Sequence, residues 1–227
     1  MVKPSRFSMN KRSSVQPDGA AIYWKQMELG PMMNYVYLIG DPATKEALVV
    51  DPAWDVQAIL DQLAKDGYEM KGMLVTHGHP DHINGVEELL NRTNTPVYMH
   101  KDEIPWIKGW KETAIATQMG DKIKVGNLEI ECIHTPGHTM GSQCFMCHGQ
   151  MLTGDTLFID GCGRTDLPGG NTQMLYDTFS NVIKKLPNET VIYPGHNYSS
   201  GKSDTLGHQK QTNPYLMASK EEFLRNR

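Results

Sequence analysis

The chain has 227 residues, 39% of them hydrophobic and 21% charged, which is enough to build a sizeable core and ordinary for a globular protein. A formal net charge of −4 and a pI near 6.1 argue against the basic surface that phosphate-backbone binding needs, so no nucleic-acid role is expected. No apolar stretch reaches the ~18 residues of a membrane span and the N-terminus lacks the apolar core of a secretory signal, so a soluble, cytoplasmic protein without membrane attachment is expected.

Residues 1–17 carry Lys3, Arg6, Lys11 and Arg12 with no acid, and 1–20 read as a flexible arm ahead of one domain over 21–227. Residues 22–29 and 34–39 read as strands joined by Gly30-Pro31, and 47–50 as a third, buried strand. Val56, Ile59, Leu60, Leu63 and Ala64 then fall on one face of a helix, with Asp55 as its N-cap and Gly67 as its stop. A short buried strand, 73–75, runs into Thr76-His77-Gly78-His79-Pro80-Asp81-His82, and Ile83, Val86, Leu89 and Leu90 give the helix after it an apolar stripe. Residues 96–100 make another strand, and 101–118, with Trp106 and Trp110, read as a lid or a short helix.

Two hairpins follow, turning at Gly126-Asn127 and at His148-Gly149. Met174, Leu175, Phe179, Val182, Ile183 and Leu186 mark a second amphipathic helix, followed by a strand at 191–193. Strands, βα units, hairpins, then helix and strand predict an α/β fold of two sheets packed face to face with helices outside, a four-layer αββα sandwich. Four cysteines are too few for a disulfide scaffold in a chain of this size. Cys144 and Cys147 have the spacing of half a zinc knuckle or a redox pair. They lie on a strand, where residues three apart face opposite sides, and no second pair completes the set, so both read as core.

The chemistry concentrates in the histidine run. In an extended segment residues two apart share a side, so His77 and His79 can converge on one ion while the turning chain aims Asp81 and His82 at a neighbouring point. Three further candidates, His138, Asp155 and His196, each end a strand-like run beside Gly or Pro, where a sharp turn projects a side chain into a shared cleft. Imidazole and carboxylate are the ligands of Zn²⁺ and Fe²⁺ hydrolytic sites. His134 occupies a sequence position near the site and reads as a supporting or surface residue; His100, His148 and His208 read as structural or solvent-exposed.

Taken together, these ordered motifs resemble the metallo-β-lactamase superfamily over residues 23–216. The resemblance implies one metal held by His77, His79 and His138, a second held by Asp81, His82 and His196, Asp155 bridging both, and Asp51 as a carboxylate behind the ligands that orients one of them. Within the superfamily the chain is similar to the glyoxalase II and persulfide dioxygenase branch, through Gly161-Cys162-Gly163-Arg164-Thr165-Asp166 after Asp155 and Tyr198 after His196. Arg164 and Tyr198 are thereby candidates for binding a thiol cofactor, with a loop-bracing Arg164–Asp166 ion pair the alternative for Arg164. The stretch after His196 is short, so the separate helical substrate domain of glyoxalase II is not expected.

For a hydrolase of a thioester or related ester, the resemblance implies two metals supplying a bridging hydroxide as nucleophile, with Asp81 and Asp155 as the catalytic carboxylates that orient it. The alternative is a mononuclear Fe(II) persulfide dioxygenase, because His77, His138 and Asp155 alone make a two-histidine, one-carboxylate set. A non-catalytic metal-binding scaffold predicts missing ligands, and none is missing. A β-lactamase proper is not expected without an export signal. The expected cofactors are two divalent ions, zinc with iron as the alternative. A small-molecule substrate is the expected partner, a glutathione or other thiol derivative among the candidates, and a homodimer is compatible with these features.

Overall fold

A computed structural model describes residues 21–225, so the arm expected over 1–20 lies outside the described residues. Among these residues the strands form two six-stranded sheets. The first follows chain order: β1 (Tyr23–Leu29), β2 (Asn34–Asp41), β3 (Glu46–Val50), β4 (Glu69–Val75), β5 (Val97–His100) and β6 (Ala114–Thr117), antiparallel from β1 to β3 and parallel from β3 to β6. The second has the order β12 (Asp204–Thr205), β11 (Val191–Pro194), β10 (Gln150–Gly154), β9 (Gln143–Cys147), β8 (Leu128–His134) and β7 (Lys122–Val125), with β10 and β11 parallel and the other pairs antiparallel.

Every residue of β2 is buried, and the reason is the layering. Successive side chains of a strand alternate between faces. Tyr35, Tyr37 and Ile39 therefore join Leu74, Ile130, Phe145 and Leu152 between the sheets. Val36 and Leu38 pack on the other face with Ile59 and Leu63 of α1 (Val56–Asp66) and Leu89 of α3 (Val86–Thr93). Outside the second sheet, Met151 and Ile192 meet Leu175 and Phe179 of α4 (Thr172–Asn181) and Leu206, Leu216 and Phe223 of α5 (Leu206–Thr212), α6 (Pro214–Met217) and α7 (Lys220–Arg225). The result is the four-layer αββα sandwich. Cys147 faces the inter-sheet cluster and Cys144 the outer one, as residues three apart on a strand must.

Several elements depart from the sequence reading. The helix expected through 83–90 is split into α2 (Pro80–Ile83) and α3, because Gly85 docks on the turn after β3: its N–H donates to the Pro52 carbonyl at 3.0 Å, and a Cβ there would lie 2.8 Å from that oxygen. Residues 101–118, read as a lid or a short helix, hold short helical turns of the 3-10 kind. Two short 3-10 turns, Ile104–Trp106 and Lys111–Thr113, bury Ile107 and Trp110 beside the first helical layer and lead into β6. The second helix ends earlier than its apolar pattern, at Asn181, and passes into a 3-10 turn at Ile183–Lys185. No helix among the described residues is long and apolar enough to cross a membrane.

The inter-sheet layer carries a direct stability prediction. Leu74 is fully buried there, and Leu74→Ala leaves a cavity that two sheets cannot close independently, at a cost of about 2–5 kcal/mol in urea unfolding. A cost below about 1 kcal/mol would show that the sheets do not pack against each other at this point.

Candidate metal centre

The parallel strands explain why distant residues meet. β8 and β10 both run antiparallel to β9, and β11 runs parallel to β10, so the loops after β8, β10 and β11 emerge at one edge and carry His138, Asp155 and His196. In the first sheet β3 and β4 are parallel and release Asp51 and the run 76–82. Main-chain hydrogen bonds join the two edges, from Tyr35 N to Gly195 O at 2.8 Å and from Gln143 N to Thr76 O at 2.9 Å.

The imidazole nitrogens form two groups. His79 Nδ1 lies 3.1 Å from His77 Nε2 and 2.9 Å from His138 Nε2. His82 Nε2 lies 3.1 Å from His196 Nε2, with Asp81 Oδ2 at 3.5 and 3.4 Å from these two nitrogens. Asp155 reaches both groups: Oδ2 is 3.6 Å from His138 Nε2 and 3.3 Å from His196 Nε2, and Oδ1 is 3.3 Å from His82 Nε2. All seven residues singled out as ligands are therefore brought together.

The partners behind the rings decide which nitrogen carries hydrogen. A carbonyl oxygen only accepts, so His138 Nδ1 donates to Arg164 O at 2.6 Å and His196 Nδ1 donates to Met32 O at 2.9 Å. His82 Nδ1 donates to Asp51 Oδ2 at 3.0 Å. The Thr76 hydroxyl spends its proton on Asp51 Oδ2 at 2.6 Å, leaving its oxygen to accept from His77 Nδ1 at 3.0 Å. Four rings are thus held with Nδ1 protonated and the Nε2 lone pair aimed into the cleft, the arrangement that outer partners impose on metal-binding histidines. Lone pairs on buried nitrogens some 3 Å apart repel unless a proton or a cation lies between them. Asp155 Oδ1 adds a buried oxygen with no hydrogen-bond partner. The donor set fits two metal ions, one at each group with Asp155 between.

Asp51 lies behind the histidines, accepting from Thr76 N at 2.7 Å as well as from Thr76 Oγ1 and His82 Nδ1. Asn34 was not legible in the sequence. Its Nδ2 donates to Asp81 Oδ2 at 2.9 Å, and Trp54 Nε1 donates to Asn34 Oδ1 at 2.8 Å, which fixes the direction of the amide. Tyr198 stacks on the His196 ring at 4.5 Å and lines an open cleft of about 470 Å³. Arg164 also lines it, but its guanidinium is engaged by Asp166 through two contacts of 2.6 Å, so the loop-bracing alternative is the one present. Its main-chain carbonyl is the part that supports a ligand.

Electrostatics separates the two groups. Burial, followed by the neighbouring histidines, holds His77 well below its ordinary pKa, and burial and His138 bring His79 down to about 4. Burial also works against charge on His82, but Asp155, Asp51 and Asp81 outweigh it and push that ring up to about 9. The proton that charges His82 is the one on Nε2, 3.1 Å from His196 Nε2.

Fold and site together define an α/β sandwich with a His- and Asp-built centre at one edge. The chain belongs to the metallo-beta-lactamase superfamily, whose sequence model matches residues 29–196. Similar proteins include the probable polyketide biosynthesis zinc-dependent hydrolase PksB of Bacillus subtilis, 32% identical over 84% of this chain and 85% of that protein. The mitochondrial persulfide dioxygenase ETHE1 of Mus musculus is 33% identical over 97% of this chain and 86% of its own length. The hydroxyacylglutathione hydrolase of a Polaromonas species is 37% identical over 73% of this chain and 62% of its own.

The charge states give a pH prediction. The second group binds a metal only after His82 loses its proton, so metal uptake there releases about one proton at pH 7 and its affinity falls as pH drops from about 9. His77 and His79 are already neutral at pH 7, so the first group releases close to none. Calorimetric titration with Zn²⁺ in two buffers of different ionisation enthalpy reads the proton count for each equivalent. Equal release at both steps would contradict this assignment.

Proposed function

We propose that the protein is a dinuclear metal-dependent hydrolase whose substrate is a thioester or a related ester. The observation that supports this reading most is the completeness of the second group. Asp81 is held by Asn34, His82 by Asp51 and His196 by Met32 O, so each of its three ligands has its own orienting partner. Histidine and carboxylate donors suit zinc first and iron second. A pair of such ions, when bound, polarises a carbonyl and lowers the pKa of water to about 7.

The chain's own groups then have distinct tasks. Asp81 and Asp155 orient the attacking water and act as the catalytic carboxylates. Tyr198 and Phe158, whose rings meet edge-on at 5.5 Å, offer the substrate an aromatic wall next to His196. Arg164 contributes a carboxylate contact only if it leaves Asp166. The thiol half of the substrate is a glutathione or other thiol derivative, and a separate substrate domain is not required for the cleft to form.

A mononuclear Fe(II) persulfide dioxygenase is the second reading. It is favoured by the extent of the match to ETHE1, which covers 97% of this chain, and by His77, His138 and Asp155 as a two-histidine, one-carboxylate set.

One preparation, loaded separately with Zn²⁺ and Fe²⁺, distinguishes the two when assayed for hydrolysis of an S-acyl glutathione thioester and for O₂ consumption on glutathione persulfide. The expected outcome is thioester hydrolysis, reduced about 100-fold or more by Asp81→Ala, since loss of a ligand's outer partner alone costs 10–100-fold. Fast O₂ uptake with Fe²⁺ that survives Asp81→Ala and exceeds hydrolysis would replace the hydrolase reading with the dioxygenase one.

A further inference from the structure

Glu103 lies on the turn after β5, in the segment that connects to β6, and its side chain is buried. One carboxylate oxygen accepts from Gly78 N at 2.7 Å and the other from Gly141 N at 2.8 Å. Gly78 sits between His77 and His79 at the end of β4 in the first sheet. Gly141 lies just beyond His138, on the loop from β8 to β9 in the second sheet. A single carboxylate therefore ties together the two loops, one from each sheet, that carry all three imidazoles of the first group.

The surroundings are shaped to admit that carboxylate. A Cβ at position 78 would come within 2.8 Å of Glu103 Oε2, and one at position 141 within 2.6 Å of Glu103 Cγ, so both loops need glycine where the side chain passes. The residue's own backbone is fixed on both sides, with Glu103 N donating to His100 O at 2.9 Å and Trp106 N donating to Glu103 O at 3.0 Å. His100 is itself buried with its ring stacked on His134 at 3.9 Å. Two converging N–H groups require two acceptor oxygens. A carboxylate supplies both, whereas an amide would set an NH₂ against one of the donors.

We propose that Glu103 is a positioning residue: it sets the spacing between the His77–His79 loop and the His138 loop, and through that spacing the metal affinity of the first group, without touching the ion. His79 Nδ1 must stay near 3 Å from a nitrogen on each loop at once, so a small separation of the loops breaks one of the two approaches. The inference rests on the two-ion reading given above.

Co²⁺ is the probe, titrated into the full chain against a competing chelator, with Asp81→Ala isolating the first group and His138→Ala isolating the second. Glu103→Gln is expected to weaken Co²⁺ binding 10–100-fold in the Asp81→Ala background, the usual effect of losing an outer partner, and by less than about threefold in the His138→Ala background. If Glu103→Gln does not fold, Gly78→Ala, whose added Cβ displaces Oε2, is read by the same ratio. A loss in the first background at least threefold larger than in the second supports the proposal. Any smaller ratio, including equal losses that track a lowered melting temperature, overturns it. Failure of Co²⁺ to bind either background with Glu103 intact would instead refute the two-ion reading on which the proposal stands.

Discussion

Nitrogen lone pairs facing one another in a buried cleft are the constraint on which the rest of this structure depends. His82 and His196 bring their Nε2 atoms to 3.1 Å, where neutral rings would oppose lone pairs, and His79 stands between His77 and His138 at similar distances. Left to themselves these rings would rotate to point an N–H at an acceptor. Four of them do not, because Asp51, Thr76, Met32 O and Arg164 O take the Nδ1 hydrogens of His82, His77, His196 and His138 and hold those rings from behind. The cost of the arrangement is recovered when a cation shares the lone pairs, so ion binding and the stability of this edge are linked.

That cost is tolerable because the core does not rely on the centre. Three apolar clusters, one between the sheets and one on each outer face, are built mainly from strand and helix positions, with Leu157, Ile159 and Cys162 of the loop after Asp155 joining the one outside the second sheet. The loops are then free to be determined by hydrogen bonds. Placing ligands at the ends of parallel strands makes convergence a property of topology, and drawing them from both sheets makes the centre a junction between two halves of the sandwich. The two readings proposed for this geometry, hydrolysis through two ions and dioxygenation through one, differ in whether the Asp81, His82 and His196 group is used.

Much of this was legible in the amino-acid order. The spacing in His77-Gly78-His79 needs only the two-residue repeat of an extended chain to read as convergence, and His138 and His196 are flagged by the Pro-Gly pairs before them. β2 and α1 declare themselves through a continuous apolar run and helical periodicity. What could not be read falls into two kinds. Met32 and Arg164 support their histidines through main-chain carbonyls, which any residue type supplies, so their identity carries no signal; Arg164 stood out for its guanidinium, and that group is bound to Asp166. Asn34, Trp54 and Glu103 act on partners brought near only by folding, and nothing local distinguishes Glu103 from the chain's other acids. Helices as short as α5, α6 and α7 span too few turns for an apolar period to show. The break between α2 and α3 depends on Pro52, remote in sequence from Gly85.

On the two-ion reading, this chain prepares two cation positions and not one. Metal content measured by elemental analysis, after saturation with Zn²⁺ and removal of loosely held ions, tests it most directly. Two equivalents per chain are predicted, because each group has three converging donors of its own. A plateau at one equivalent would contradict that reading.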